Sequence, residues 1–224
     1  MDERGSITSQ WLRRHNALYQ AATRHPFILT IADGSINFQC FKRWLGQDYH
    51  FVKAFVRFLA SLLPKMPKEA TDEEMDTLLG GIVALRDEIY WFRSEAMRWT
   101  IQLDLVSIKV TTQEYCEFLE QLSQGNFEYA IAVTALWAIE FVYYESFALC
   151  TQSNAKTPTE LREACERWSN MEFKNYCVLL KGLADKYLEG SNLHVRQKAE
   201  EIFVQILKQE IKFWDMSTCD ENCI

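Results

Sequence analysis

The sequence contains little of what interrupts a helix, with only eight glycines and four prolines in 224 residues. These two residues are the strongest local breakers of regular structure, so their scarcity favours long helices. The alternation of polar and apolar residues that is typical of a half-buried strand is nearly absent. Internal repeats and low-complexity linkers are also lacking. The sequence therefore predicts one all-α domain over residues 1–224, with residues 218–224 as a flexible tail.

Features of membrane and nucleic-acid-binding proteins are also scarce. No apolar run approaches the ~18 residues that a membrane span needs, and the segment Met1–Arg4 does not resemble a signal peptide. The formal net charge of −7 argues against nucleic acid or an anionic membrane as a partner, because both require a basic face. The seven cysteines are odd in number and irregularly spaced, which predicts reduced thiols in a cytosolic protein.

Metal and cofactor motifs are nearly missing as well. None of the four histidines stands three residues after a glutamate, which argues against the Glu-x-x-His pairs of di-iron bundles. Cys219 and Cys223 lack the second pair of ligands that a zinc site needs. Phosphate loops, dinucleotide fingerprints and nucleophile elbows do not occur. We expect no metal and no cofactor, with haem on His15 as a minor alternative.

What the sequence does contain is a series of long amphipathic segments. Three-four spacing of apolar residues predicts helices, which we expect over residues 6–24, 37–63, 71–99, 111–123, 127–152, 157–189 and 192–216. A turn at residues 32–35 separates the first two, and a bend is expected near residues 168–173. Capping boxes are predicted at Thr71–Glu74, at Thr111–Glu114 and at Thr157–Glu160.

Three acids lie on apolar stripes of different helices: Asp48, Glu140 and Glu210. The predicted helix at residues 71–99 shows no acid on its stripe and serves as an internal comparison. Burial of a carboxylate costs several kcal/mol unless it is paired or hydrogen-bonded. Aromatic residues stand near each of the three acids in the sequence. We therefore expect the acids to share a mostly dry pocket that suits a flat, nitrogen-rich ring.

At these residues the chain resembles a known family. The segments are WLGQDY, which contains Asp48, WAIEFVYYES, which contains Glu140, and EIKFW, which begins at Glu210. Together they are similar to the TenA family, the class-II thiaminase-like proteins of thiamin salvage. The similarity is strongest to the plant-type branch, which carries a glutamate in place of the usual active-site cysteine.

The resemblance implies a haem-oxygenase-like multi-helical bundle without haem, which forms a homodimer or homotetramer and needs no cofactor. It implies aminopyrimidine substrates from thiamin breakdown, namely 4-amino-5-aminomethyl-2-methylpyrimidine and its N-formyl derivative. The implied reactions are removal of the formyl group and hydrolytic release of ammonia to give 4-amino-5-hydroxymethyl-2-methylpyrimidine. A non-enzymatic helical ligand carrier or scaffold remains the alternative.

The resemblance also implies residue roles. Asp48 matches the aspartate that binds the pyrimidine amino group and ring nitrogen, and Glu210 matches a glutamate that carries a proton at the ring. The cysteine position falls on or beside Trp137, with Glu140 one turn further, so cleavage of intact thiamin is not expected. We expect Glu140 and Glu210 to be catalytic. The substrate-binding residues are expected to be Asp48, Phe51, Tyr115, Trp137, Tyr143, Tyr144 and Phe213.

Overall fold

The computed structural model describes residues 5–218, in which helices predominate and no strand occurs. The ten α-helices of this part of the chain are α1 (Ile7–Arg14), α2 (Asn16–Thr23), α3 (Pro26–Asp33), α4 (Phe38–Leu62), α5 (Asp72–Arg98), α6 (Val110–Gln124), α7 (Tyr129–Cys150), α8 (Arg162–Arg167), α9 (Met171–Glu189) and α10 (Leu193–Ser217). Short 3₁₀ turns lie at Leu63–Lys65, Leu103–Leu105 and Thr159–Leu161. The expectation of an all-α fold is confirmed.

The first of two compact units comprises residues 1–36 and 128–211. Its central element is α7, which packs against α2, α3, α8 and α9. Every residue from Tyr129 to Glu140 is buried, as expected for a helix that is apolar on all sides. Glu140 is therefore the single acid in a fully buried, apolar stretch of α7.

The second unit comprises residues 37–127 and 212–224. Here α4 packs against both α5 and α6, and it buries the predicted stripe of large apolar residues. In that stripe Phe41, Leu45, Val52, Phe55 and Leu59 are buried, and Phe38, at the first position of α4, is half-buried. Asp48 lies in the middle of this stripe and is also buried.

The domain boundaries stay a prediction, and the predicted tail lies outside the described residues except for Thr218.

Side-chain caps fix several helix starts. Asn37 accepts a hydrogen bond from the Gln39 backbone N–H at the start of α4, and Thr71 and Glu74 form the predicted capping box of α5. Asn170 accepts from the Phe173 N–H and so begins α9. The boxes predicted at Thr111 and Thr157 are wrong, because α6 begins at Val110 and residues 159–161 form a 3₁₀ turn.

The structure corrects three helix boundaries. The segment predicted as one helix over residues 6–24 breaks at His15, where φ is −104° and ψ is 27°. Residues 26–33, which the sequence left without a helix, form α3, with Pro26 at its first turn, where proline's missing N–H costs nothing. The segment 157–189 divides into a 3₁₀ turn, α8 and α9, and the division falls at the predicted bend.

Two composition-based expectations also need correction. Helix α7 is long and apolar enough to cross a membrane, contrary to the expectation that no segment is, but 83% of its apolar window is buried within the protein, as in the core helix of a globular fold. Cys116, Cys150, Cys165 and Cys177 are free, whereas Cys40 is disulfide-bonded, so reduced thiols were wrongly expected at that position. Cys219 and Cys223 lie outside the described residues.

Candidate functional site

Asp48, Glu140 and Glu210 are all buried, with 2%, 8% and 0% of their surface exposed. The prediction that these stripe positions face inward is therefore confirmed residue by residue. Burial alone does not single them out, however, because Glu74 and Glu95 of α5 are buried too. These two acids lie before and after the apolar stripe of α5, which itself contains no acid.

The two buried acids of α5 have visible structural roles. Glu74 completes the capping box by accepting the Thr71 N–H at 3.0 Å. Glu95 accepts hydrogen bonds from Arg98 at 2.8 Å and from the Trp99 ring nitrogen at 2.7 Å. Both carboxylates stabilise the ends of α5, where orphaned backbone and aromatic donors need acceptors. Their burial is thus explained by the fold and needs no ligand.

Within the second unit, three of the predicted aromatic residues form one cluster. The ring centroid of Phe51 lies 4.7 Å from that of Tyr115 and 5.7 Å from that of Phe213, and the rings of Tyr115 and Phe213 are 6.3 Å apart. Helices α4, α6 and α10 each contribute one ring. Asp48 precedes Phe51 by one turn of α4, so its side chain lies on the same side of that helix.

The charge of Asp48 acts on Cys116, in the middle of α6. Burial raises the pKa of the Cys116 thiol to about 11, and the negative charge of Asp48 adds to this shift. The Cys116 Sγ also donates to the backbone oxygen of His50 at 3.9 Å. Asp48, Tyr115 and Cys116 therefore belong to one local environment.

The loop before α6 is fixed to α4 by residues that the sequence reading overlooked. Gln47 donates to the Ser107 oxygen at 3.0 Å and accepts the Lys109 N–H at 2.8 Å, while the His50 Nε2 lies 2.9 Å from the oxygen of Val106. A Cβ on Gly46 would lie 3.1 Å from a methyl group of Val106, so this glycine allows the close approach of the loop. No pattern in a single sequence marks such a tertiary clamp.

In the first unit, Glu140 lies on the side of α7 that faces α9. Tyr129 of α7 and Tyr187 of α9 are in edge-to-face contact with centroids 4.8 Å apart, and Trp168, just before α9, contacts Phe147 near the end of α7. The two helices are therefore antiparallel. Both Glu140 and Cys177 are buried between them. Burial and the charges of Glu140 and Glu145 raise the pKa of the Cys177 thiol.

Trp137 is fully buried and stacks on protein rings. Its centroid lies 5.5 Å from that of Phe203, with the ring planes within 9°, and 5.6 Å from that of Phe141. Glu210 follows Phe203 by seven residues on α10, hence two turns along nearly the same face. Stacking of Trp137 on a ligand stays a prediction.

The two remaining aromatic candidates differ in their surroundings. Tyr143 is buried, and its ring contacts Phe147 at 6.0 Å and Trp168 at 5.9 Å. Tyr144 is half-buried. Each unit thus holds a group of the predicted residues: Asp48, Phe51, Tyr115 and Phe213 in the second, and Trp137, Glu140, Tyr143, Tyr144 and Glu210 in the first.

Comparison with known proteins extends these observations over the whole chain. A soybean (Glycine max) protein named "Probable bifunctional TENA-E protein" is 46% identical over 94% of this chain and 93% of its own length. An aminopyrimidine aminohydrolase of Halalkalibacterium halodurans is 24% identical over 95% of each chain. The sequence expectation of a TenA-like protein is thereby confirmed.

Solved structures agree with this likeness. A TenA homologue from Pyrococcus furiosus superposes with a TM-score of 0.86 at 25% identity, covering 95% of this chain and 100% of its own. The TenA structures have a haem-oxygenase-like helical fold, as the resemblance implied. The family model described as TENA/THI-4/PQQC matches residues 12–220, and the chain therefore belongs to the TENA/THI-4/PQQC family.

Proposed function

We propose that the protein is a thiamin-salvage hydrolase that acts on C–N bonds of aminopyrimidines. Two relatives are named aminopyrimidine aminohydrolase, one from Halalkalibacterium halodurans and one from Helicobacter pylori. Their likeness covers at least 93% of this chain, so the proposal concerns a comparable length of protein. The observation that carries it is the burial of Asp48, Glu140 and Glu210 within long helices rather than at their ends.

The proposed substrates are 4-amino-5-aminomethyl-2-methylpyrimidine and its N-formyl derivative. In deformylation, water adds to the formyl carbon while a carboxylate takes one of its protons. The C–N bond then breaks, and a carboxylic acid donates a proton to the departing nitrogen, which gives formate and the free amine. In the second reaction, the oxygen of water replaces the aminomethyl nitrogen, which leaves as ammonia.

We assign the proton transfers to Glu140 and Glu210, one acting as base and the other as acid in each step. Asp48 binds the exocyclic amino group and the neighbouring ring nitrogen, because a carboxylate accepts from both an amine and a protonated ring nitrogen. The cluster of Phe51, Tyr115 and Phe213 supplies flat apolar surface for the ring. Trp137, Tyr143 and Tyr144 remain proposed contacts on α7. No cofactor is required for either hydrolysis.

The direct test is incubation of the purified protein with each aminopyrimidine, followed by measurement of formate and ammonia. Formate from the formylated compound and ammonia from the free amine would support the proposal. Binding of both compounds without release of either product would favour the ligand-carrier alternative. The absence of both binding and turnover would contradict the proposed function altogether.

We further propose that two copies associate through an exposed face of α5. Large apolar side chains recur along this helix and are 40–73% exposed: Met75, Leu79, Val83, Tyr90 and Met97. At 100° per residue these five positions fall within an arc of about 80°, an apolar stripe that Arg86 and Arg93 interrupt. Such a stripe marks an interaction surface more often than isolated exposed residues do.

The order of charges along the same face suits a second copy of the chain. Asp72 and Asp76 lie at the beginning of α5, whereas Arg93 lies near its end. If two α5 helices pair antiparallel about a two-fold axis, the acidic end of each helix lies beside the basic end of the other. An isologous interface of this kind closes on itself and gives a dimer.

A cytosolic location also remains part of the proposal.

A further inference from the structure

Tyr176 carries a buried hydroxyl group for which the fold offers no partner. Its oxygen is shielded from solvent, and within residues 5–218 it makes no hydrogen bond. Buried polar groups are nearly always paired, because an unpaired one loses its bonds to water without compensation. The neighbouring ring of Phe173 contributes only an apolar contact, at 6.3 Å. The hydroxyl therefore requires another explanation.

Helix register sets Tyr176 opposite Glu140. The contact between Tyr129 and Tyr187 aligns α7 with the antiparallel α9. Glu140 lies eleven residues after Tyr129, and Tyr176 lies eleven residues before Tyr187. Eleven residues make about three complete turns, so both residues return to the faces on which the tyrosines meet. The strong packing of α7 against α9 allows the two side chains to share that interface.

The effect of Glu140 on the pKa of Tyr176 also indicates that the two side chains are close. Burial raises the pKa of the Tyr176 hydroxyl well above its usual value, and the charge of Glu140 adds to the effect. The hydroxyl therefore keeps its proton at neutral pH and can act as a donor. A second buried donor, the Trp137 ring nitrogen, stands one turn before Glu140 and likewise has no hydrogen-bond partner among the described residues.

A ligand with lone pairs would satisfy these donors. We infer that Tyr176 is a substrate-binding residue of the Glu140 site, where its phenolic hydroxyl donates to a ring nitrogen or formyl oxygen of the substrate. This inference rests on the proposed function, since aminopyrimidines supply such acceptors. Tyr176 then adds to the site a residue that sequence patterns did not reveal.

The test compares Tyr176→Phe with the wild type by thermal unfolding and by binding of the free and the formylated aminopyrimidines. The variant keeps the ring and removes only the hydroxyl. Because that group has no partner in the free protein, the melting temperature without ligand should stay within about 2 °C of the wild type. The dissociation constant should rise about tenfold, as expected for one lost hydrogen bond.

The pattern across compounds identifies the acceptor. Equal weakening for both aminopyrimidines assigns the bond to the ring, and weakening only for the formylated compound assigns it to the formyl oxygen. Val178→Ala, at a 60% exposed position of α9 two residues from Tyr176, is the control and should change neither quantity.

Two results would overturn the inference while leaving the proposed function intact. One is unchanged affinity of Tyr176→Phe for both compounds. The other is a drop of more than about 5 °C in the melting temperature of the free variant, which would assign the hydroxyl to the fold. If the wild type binds neither aminopyrimidine, the proposed function and the role of Tyr176 both fail.

Discussion

The side-chain oxygen of Gln47 accepts the backbone N–H of Lys109 at 2.8 Å, so the residue beside Asp48 holds the chain that leads into α6. The same side chain is buried and donates to the Ser107 oxygen. The arrangement fixes the start of α6, on which Tyr115 and Cys116 stand. Rigid support of this kind keeps binding groups in place before a ligand arrives.

Gln47→Ala should therefore destabilise the protein. Loss of two partly buried hydrogen bonds should lower the free energy of unfolding by about 1–2 kcal/mol. Urea denaturation measures this difference. Gln39→Ala removes an amide from an exposed position of the same helix and should change stability by no more than about 0.5 kcal/mol. Equal stability of the two variants would show that the clamp contributes nothing.

Glu140→Gln and Glu210→Gln should each reduce turnover by about 10²- to 10⁴-fold, the usual contribution of general acid–base catalysis. The amide preserves shape and hydrogen bonding but cannot exchange the proton. Product release under saturating aminopyrimidine measures the effect, and circular dichroism verifies the fold. Glu95→Gln is the matched control, because its carboxylate serves Arg98 and Trp99 and turnover should persist. Near-normal rates in both test variants would refute the assigned roles.

Asp48→Asn should mainly weaken binding. Replacement of a charge-assisted hydrogen bond by a neutral one should raise the dissociation constant for the aminopyrimidine roughly 10- to 100-fold. Titration calorimetry measures the change. A comparable fall in turnover at saturating substrate would instead indicate that Asp48 takes part in the chemical step.

The same variant has a second readout that needs no substrate. Removal of the Asp48 charge should lower the pKa of Cys116 from about 11, so more thiolate should form at pH 9. Alkylation of Cys116, followed on its own peptide by mass spectrometry, should accelerate by roughly two- to fivefold. Glu120→Gln, at an exposed position of α6, should leave the rate unchanged. An unaltered rate in Asp48→Asn would contradict the proximity of the two groups.

Alkaline pH should destabilise the protein through its buried thiols. In the unfolded chain a thiol loses its proton near pH 8.5, whereas burial and nearby carboxylates raise the folded-state pKa of Cys177. Above pH 8.5 the unfolded state therefore binds fewer protons than the folded state, and stability falls as pH rises. Each such thiol contributes up to about 1.4 kcal/mol per pH unit.

Urea denaturation in the presence of reductant between pH 7.5 and 9.5 measures this slope. Cys177→Ala should make the slope shallower by the share of one thiol, even though the lost packing lowers stability at every pH. Val178→Ala changes a neighbouring exposed side chain and should keep the wild-type slope. Identical slopes for all three proteins would exclude the thiol as a cause.

Val83→Glu should disrupt self-association. The substitution puts a charge in the middle of the apolar stripe on α5, and burial of two such charges at an interface would be costly. Sedimentation equilibrium should show a smaller mass for this variant than for the wild type. Ala84→Glu adds the same charge at an exposed position one residue further on, about 100° around the helix, and should keep the wild-type mass. Equal masses for both variants would place any interface elsewhere.

The sequence predicts elements well where an apolar stripe is long and uninterrupted. On α10 the stripe residues Ala199, Phe203, Ile206, Glu210 and Phe213 are all buried, as the three-four spacing indicated. Short helices are harder to predict. In residues 26–33 the stripe is limited to Phe27, Ile28 and Ile31, and Pro26, which can end a helix, is here the first helical residue.

For the candidate site, too, the sequence predicts some residues and not others. Burial of Asp48, Glu140 and Glu210 follows from periodicity, because each takes a position that a core residue would occupy. The roles of Gln47 and Tyr176 could not be predicted, since they depend on which elements meet in three dimensions. Glu95 shows the opposite error: it is buried although no spacing rule selected it, because its partners lie at the following turn of the chain.

The spacing of eleven residues on both α7 and α9 has a consequence for evolution. Insertion of a single residue between Tyr129 and Glu140, or between Tyr176 and Tyr187, would rotate one side chain by about 100° away from the other. An equal insertion in the second helix would not restore the contact, because it would rotate the other side chain off the interface as well. Homologues that keep this arrangement should therefore vary in the loops that flank these helices while the two intervals stay constant in length.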